Sequence, residues 1–453
     1  MNKVSVVGLG KLGACMVACF AHRGFSVVGV DIEQKNVDAI NQGLPPVFEP
    51  HLAEMISESR DRIIATTSMR DAIQQTDVSF VVVPTPSEDQ GGYSLRFVRA
   101  AMASIGEALA NKNSYHLVVL TSTVLPGATE FGVMPILEAA SGKQCGIDFG
   151  LCYSPEFIAL GEVMRGLLNP DFVLIGESDS IAGTSLSSVF RQLCQNNPPL
   201  ERMSFANAEL AKLAVNAYVT TKITFANTLA ALCEQLPGGN VDVVTEAIGK
   251  DKRIGGQFLK GGMAYGGPCL PRDNRAFSFM AESLGSDATL AESTDRANAI
   301  LSDALFNNLK SRVDDGSVVA ILGVSYKPGS DVVEESPGLC LAERLSASGV
   351  PVVVCDPLAL DNARSTLGER VKYAQTVDEA IRSADVVVIA NPDPAFLSIK
   401  PDHFLERDRP PILFDCWRML SDVFATSSVV RYISVGTDSL TEDNVARLER
   451  IWS

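Results

Sequence analysis

The sequence predicts an α/β protein with an N-terminal Rossmann-type domain, a central helical domain with a long connecting helix, and a C-terminal Rossmann-like α/β domain. Three observations predict it. Apolar runs of strand length alternate with helical stretches at both ends of the chain. A glycine-rich turn joins the first strand to the first helix. Residues 206–236 contain no Gly or Pro until Pro237-Gly238-Gly239, so they read as one helix linking two domains. The expected boundaries are 1–200, 201–314 and 315–453.

The totals narrow the possibilities. The 453 residues suit two to three domains, and 46% apolar residues supply real cores. A formal net charge of −16 and a pI near 4.8 argue against a nucleic-acid or anionic-membrane surface. They leave room for an anionic small ligand in a local positive pocket. No apolar run approaches the roughly 20 residues that span a bilayer. The chain enters a strand pattern at Lys3-Val4-Ser5-Val6-Val7, without a signal-peptide layout. The ten cysteines form no Cys-x-x-Cys pair, and His22, His51, His116 and His403 are scattered. Neither a metal site nor a disulfide framework is expected, and the reading is a cytoplasmic protein with reduced thiols. A lysine or carboxylate is the expected general base rather than histidine.

Taken in order, Lys3 to Val7 is a strand, Gly8-Leu9-Gly10-Lys11-Leu12-Gly13 a turn, Ala14 to His22 a helix, and Ser26 to Val30 a second strand ending at Asp31. Glycines at this spacing let a pyrophosphate approach a helix N-terminus. Asp31 would accept hydrogen bonds from both ribose hydroxyls and repel a 2′-phosphate, which selects NAD over NADP. Further strands are expected at Val78–Val83, Leu117–Leu120 and Phe172–Ile175. The first two lead into Pro84-Thr85-Pro86 and Thr121-Ser122-Thr123-Val124-Leu125-Pro126-Gly127. Those loops suit a nicotinamide ribose or a reacting alcohol, and equally well ordinary turns. Glu156, in Tyr153-Ser154-Pro155-Glu156-Phe157-Ile158-Ala159-Leu160-Gly161, is a carboxylate in apolar company. It is either an acid–base group of raised pKa or a helix-start glutamate. On the long helix Lys212 and Asn216 are four apart and share a face. Lys212 would stabilise an oxyanion if buried, or snorkel at a helix edge. A further helical region is expected over about 275–311.

At Ser317 the α/β pattern restarts. Strands are expected at Val318–Leu322, Val350–Cys355, Val386–Ala390 and Ile412–Phe414, with Gly323-Val324-Ser325-Tyr326-Lys327-Pro328-Gly329 after the first and Asp356-Pro357 after the second. This domain lacks the full glycine fingerprint but could bind a second nucleotide.

Between these domains lies Tyr265-Gly266-Gly267-Pro268-Cys269-Leu270-Pro271-Arg272-Asp273. The glycines admit a close approach to the backbone. The two prolines are expected to exclude helix and strand and to leave a stiff loop presenting one thiol. Most free cysteines are buried and inert, which is the expectation for Cys15, Cys19, Cys194, Cys233 and Cys340, each in an apolar run. Cys269 differs, because its neighbours are loop formers.

These residues resemble the UDP-glucose/GDP-mannose dehydrogenase family over nearly the whole chain. The resemblance rests on Gly8 to Gly13, Pro84-Thr85-Pro86, Ser122-Thr123-Val124, Ser154-Pro155-Glu156-Phe157, Lys212 with Asn216, Arg253-Ile254-Gly255, Gly266-Gly267-Pro268-Cys269, and Leu322-Gly323 through Lys327-Pro328. It implies oxidation of a sugar-nucleotide C6 alcohol to a carboxylate, a UDP-hexose first among the substrates, with two NAD reduced per turnover. It implies Cys269 as nucleophile, through a thiohemiacetal and a thioester, and Lys212 with Asn216 at the oxyanion. Asp273 and Thr123 would handle a proton through water, and Glu156 would serve thioester hydrolysis. Pro84, Thr85, Ser122 and Thr123 would join Gly8, Gly10, Lys11, Leu12, Gly13 and Asp31 at NAD. Glu156, Phe157, Ile158, Lys212, Asn216, Arg253, Gly266, Tyr326 and Lys327 would face the substrate. Arg253 would reach the partner's site in a homodimer. The chain departs from the family pattern at Leu160, where a second glutamate is common, and at Glu334, where an arginine is expected. Pro268 and Arg272 also differ from the usual residues. Two other readings stay open: a two-electron dehydrogenase of the hydroxyacid type, and a non-catalytic nucleotide-sugar-binding protein.

Overall fold

The computed structural model describes residues 1–158, 160–382, 384–405, 409–438, 444–446, 448 and 451. The chain divides into two compact units, Met1–Val215 and Asn216–Ser453.

Among the described residues, the first unit forms an eight-stranded sheet in the order β3-β2-β1-β4-β5-β6-β7-β8. The strands are β1 (Lys3–Val7), β2 (Ser26–Val30), β3 (Ile63–Thr66), β4 (Val78–Val81), β5 (Leu117–Leu120), β6 (Gly150–Tyr153), β7 (Val173–Glu177) and β8 (Leu200–Met203). All neighbours pair in parallel except β6 and β7. Alternate residues serve opposite faces: Leu117 and Val119 join one buried cluster, Val118 and Leu120 the other. Both faces are therefore covered, as continuous apolar runs require. The strand order reverses between β1 and β4, so a crevice forms beyond their carboxyl ends.

The long helix runs from Phe205 to Cys233, 29 residues and about 44 Å. It stops short of the expected Leu236, and the division between the units falls within it. The stretch read as one helical region is two helices, Leu270–Ser283 and Thr289–Lys310. Gly285, at φ +68°, lies in the break. In the second unit, among the described residues, a six-stranded sheet follows, wholly parallel, in the order β11-β10-β9-β12-β13-β14. Its strands are β9 (Val319–Leu322), β10 (Val352–Cys355), β11 (Lys372–Tyr373), β12 (Val386–Ile389), β13 (Ile412–Asp415) and β14 (Arg431–Ser434). It too has one apolar cluster on each face. Among the described residues no helix is long and apolar enough to cross a membrane.

Candidate functional site

In the first unit the glycine turn has the geometry of a phosphate cradle. Gly8 sits at φ +99°, and a Cβ there would lie 2.2 Å from the Val82 carbonyl oxygen. A Cβ on Gly13 would lie 1.8 Å from the Gly8 carbonyl oxygen, so only glycine lets the helix seat against the turn. Gly10 caps helix Lys11–His22 without a side-chain hydrogen bond, and a Cβ there would meet nothing within 4 Å. Gly10 is exposed and Lys11 and Leu12 are partly so, which leaves room for an anion at the helix start. The Asp31 carboxylate accepts from the amides of Leu9 (2.7 Å) and Glu33 (2.9 Å), and the residue stays partly exposed. The Ser122 hydroxyl accepts from the Val83 amide (2.9 Å) and donates to the Val83 carbonyl (2.7 Å), tying together the loops after β5 and β4. Thr85 is buried, Pro84 exposed, and Thr123, Lys11 and Leu12 partly exposed. These residues fit a dinucleotide.

Lys212 is buried, at 7% exposure, which decides against the snorkelling alternative. Its Nζ donates to the Glu156 carbonyl (2.6 Å) and lies 4.6 Å from the centre of the Phe157 ring. Desolvation of the Glu156 carboxyl, opposed by the Lys212 charge, pushes its pKa up to about 7. Phe157 packs on Phe172 at 4.8 Å. Ile158 and Leu160 pack against one apolar core, which accounts for a leucine at the departing position; Ala159 lies outside the described residues. Two carboxylates here escaped the sequence reading. Glu209, fully buried one turn before Lys212, accepts from the amides of Gly127 (2.6 Å) and Thr129 (2.8 Å), at the end of the Thr123 loop. Glu49 accepts from Gly161 (3.1 Å) and Val163 (2.9 Å), at the end of the Glu156 loop. The available signal for Glu209 was an acid inside an Ala/Leu helix run.

In the second unit the Asn216 amide donates to Asp273 Oδ2 at 2.6 Å, and Arg272 Nε lies 3.4 Å from Oδ1. Cys269 is exposed and caps helix Leu270–Ser283, with its carbonyl accepting the Asp273 amide at 2.8 Å. The expectation that Pro271 excludes helix is thereby corrected. Proline stands in the first turn, where its missing N–H has no partner to lose. Gly266 and Gly267 serve close approach as expected. A Cβ on Gly266 would lie 2.1 Å from the Glu335 carbonyl oxygen, and one on Gly267 2.3 Å from the Tyr326 ring. Tyr326 and Lys327 are partly exposed, in a loop closed by the Tyr326 amide on the Val332 carbonyl (2.9 Å). Glu334 is exposed, and its neighbour Glu335 pairs with Arg275 at 2.6 Å. Arg253 pairs with Asp251 at 2.6 Å, its side chain 88% exposed. Cys15, Cys19, Cys194 and Cys233 are buried; Cys340 is exposed, against expectation, because its helix turns that position outward.

Comparison with known proteins matches all three segments. The sequence model of the NAD binding domain of the UDP-glucose/GDP-mannose dehydrogenase family matches residues 2–194. The models of that family's central and UDP binding domains match residues 206–299 and 320–422. The chain is 35% identical to a UDP-glucose 6-dehydrogenase of Haloferax volcanii, over 90% of this chain and 95% of that one. It is 34% identical to a GDP-mannose 6-dehydrogenase of Pseudomonas syringae, over 88% and 92%. Its fold is similar to a UDP-glucose dehydrogenase structure from Pyrobaculum islandicum, with a TM-score of 0.86 and 32% identity, covering 96% of this chain and 98% of that one.

Proposed function

The chain belongs to the UDP-glucose/GDP-mannose dehydrogenase family, and on that footing we propose that it is an NAD-dependent oxidoreductase that converts the C6 alcohol of a nucleotide sugar to a carboxylate in two successive oxidations. The observation that carries the covalent step is Cys269, exposed at the cap of helix Leu270–Ser283, four residues before an Asp273 gripped by Asn216. The positive end of that helix favours negative charge. NAD, when bound, supplies the hydride acceptor for both oxidations. Gly8, Gly10, Lys11, Leu12 and Gly13 would hold its pyrophosphate, Asp31 its ribose, and Pro84, Thr85, Ser122 and Thr123 the remainder.

The chain's own groups divide the rest of the work. The Cys269 sulfur adds to the aldehyde carbon, and the carbonyl oxygen takes a proton, giving a thiohemiacetal that keeps the aldehyde from escaping. Oxidation of that adduct leaves a thioester, and water then displaces the thiol and frees the acid. Lys212 and Asn216 stabilise the oxyanions. Asp273 and Thr123 are assigned to proton transfer through water. Glu156, with its pKa near 7, serves as base for hydrolysis.

The substrate we favour is a UDP-hexose, because the UDP binding domain of the family matches residues 320–422. Phe157, Ile158, Gly266, Tyr326 and Lys327 are its proposed contacts. A homodimer is supported by Tyr218, Phe225 and Leu232, seven apart on one helix and 61%, 51% and 54% exposed. Arg253 would reach the partner's site. The cytoplasm is the proposed compartment. The test is product analysis by mass spectrometry over a panel of UDP- and GDP-sugars. A UDP-uronate is expected; a GDP-linked acid would overturn the choice of base, and an aldehyde product would overturn the second oxidation.

A further inference from the structure

The C-terminal sheet has a concavity at the amino ends of its strands. A cavity of about 600 Å³ lies at the amino ends of four adjacent strands. Ser317 precedes β9, and Val386, Ile412 and Arg431 are the first residues of β12, β13 and β14. Its volume falls within the range of small-molecule sites.

The lining is charged. Arg312, Arg382, Arg409 and Arg431 enter from four separate segments, against Asp314 and Asp385. Among the described residues the lining holds four arginines and two aspartates, in a chain whose net charge is −16. One of those carboxylates is already engaged, since Asp385 Oδ2 accepts the Val318 amide at 2.9 Å. Arg312 Nε donates to Asn308 at 2.9 Å. Among the described residues, Arg382, Arg409 and Arg431 take part in no ion pair. All three are exposed, so their guanidiniums are open to an anion arriving from solvent. Among the described residues the cationic lining is wholly arginine. Its planar fork meets two phosphate oxygens at once, which a lysine does not.

We propose that this cavity is a second binding site, for a small polyanion with adjacent phosphate groups, of the size of a nucleoside triphosphate. It lies at the strand amino ends within the second unit, and its lining includes none of the residues assigned to the catalytic site, so it does not depend on that reading.

Calorimetry on the full-length chain tests it, with tripolyphosphate and ATP as probes at low and moderate salt. Wild type should bind both, more weakly as salt rises. Arg409→Ala/Arg431→Ala should weaken binding about tenfold or more, because two charge-assisted contacts are lost. Its affinity for NADH should not change, which shows that the protein is folded and the dinucleotide site intact. Should the double variant fail to fold, Arg409→Gln on the exposed loop should give the same loss in smaller measure. ATP binding tighter than tripolyphosphate in wild type alone would assign a nucleotide, and equal binding the phosphate chain itself. Absence of tripolyphosphate binding at millimolar concentration, or equal binding by wild type and the arginine variants, would overturn the proposal.

Discussion

The two parallel sheets begin alike and part at the turn after their first strands. Gly8 follows β1 at φ +99°, and Gly323 follows β9 at φ +93°. Behind each a helix glycine presses on the turn: a Cβ would lie 1.8 Å from the Gly8 oxygen at Gly13, and 2.2 Å from the Gly323 oxygen at Gly338. Five positions separate the first pair and fifteen the second. The added residues carry Tyr326 and Lys327, and their end supplies Ser336, whose hydroxyl accepts the Leu339 amide at 3.3 Å. Helix Lys11–His22 has no such side-chain cap. The acids at the ends of the second strands differ in the same sense. Asp31 is partly exposed, whereas Asp356 is buried and accepts from the amides of Val324, Ser325, Leu358 and Ala359 and from the Ser325 hydroxyl, at 2.8 to 3.0 Å. One sheet leaves its acid and the start of its first helix partly exposed, although Asp31 too accepts two amides. The other buries its acid and caps its helix with Ser336, which leaves the inserted loop with Tyr326 and Lys327 as the partly exposed element there.

Substitutions at paired positions test that contrast, the largest effect first. Gly13→Val should abolish NADH binding, because its side chain drives into the Gly8 carbonyl. Gly338→Val should lower the melting temperature by many degrees, while the folded fraction keeps its NADH affinity. Fluorescence titration of NADH beside thermal melts separates the two; loss of NADH binding in both would break the contrast. Asp356→Ala should destabilise by about 3 kcal/mol, since several donors lose a buried charged acceptor, with the NADH affinity unchanged. Asp31→Ala should do the reverse, weakening NADH about tenfold and eroding the preference over NADPH.

Glu156 gives the first unit a pH response. Its folded pKa stands near 7, above the ordinary 4.5, so the folded state favours the protonated acid. The stability it contributes is full below about pH 4.5 and is lost as pH rises through about 7. Urea melts at pH 5 and pH 8 should show wild type losing stability relative to Glu156→Gln; parallel curves would contradict the assignment. The smallest effect is Ser336→Ala, about 1 kcal/mol from the lost cap, with NADH affinity unaltered.

What the sequence revealed tracks how local each signal is. The first unit's fingerprint was legible because strand, glycines, helix and Asp31 are consecutive. Its counterpart was not, because the insertion hides the pairing of Gly323 with Gly338. The strands β3, β8, β11 and β14 went unread because they close the edges of their sheets and are not buried along their length, so they lack the continuous apolar run of the strands between them. Strand β6, Gly150-Leu151-Cys152-Tyr153, lacks the β-branched residues that marked its neighbours. Pro271 was read as a helix breaker because first-turn and interior prolines look alike until the cap is located. Glu209 and Glu49 serve amides 80 to 114 positions away, a separation that no local pattern reports. For Lys212 the apolar neighbours left burial and a snorkelling helix edge both open, and only the tertiary packing decides for burial.

The central claim is a four-electron oxidation carried through Cys269. The most direct test is the NADH yield per limiting sugar nucleotide, for wild type and for Cys269→Ser. Two NADH per sugar from wild type and at most one from the variant is the predicted result. One NADH from wild type, or two from the serine variant, would contradict it.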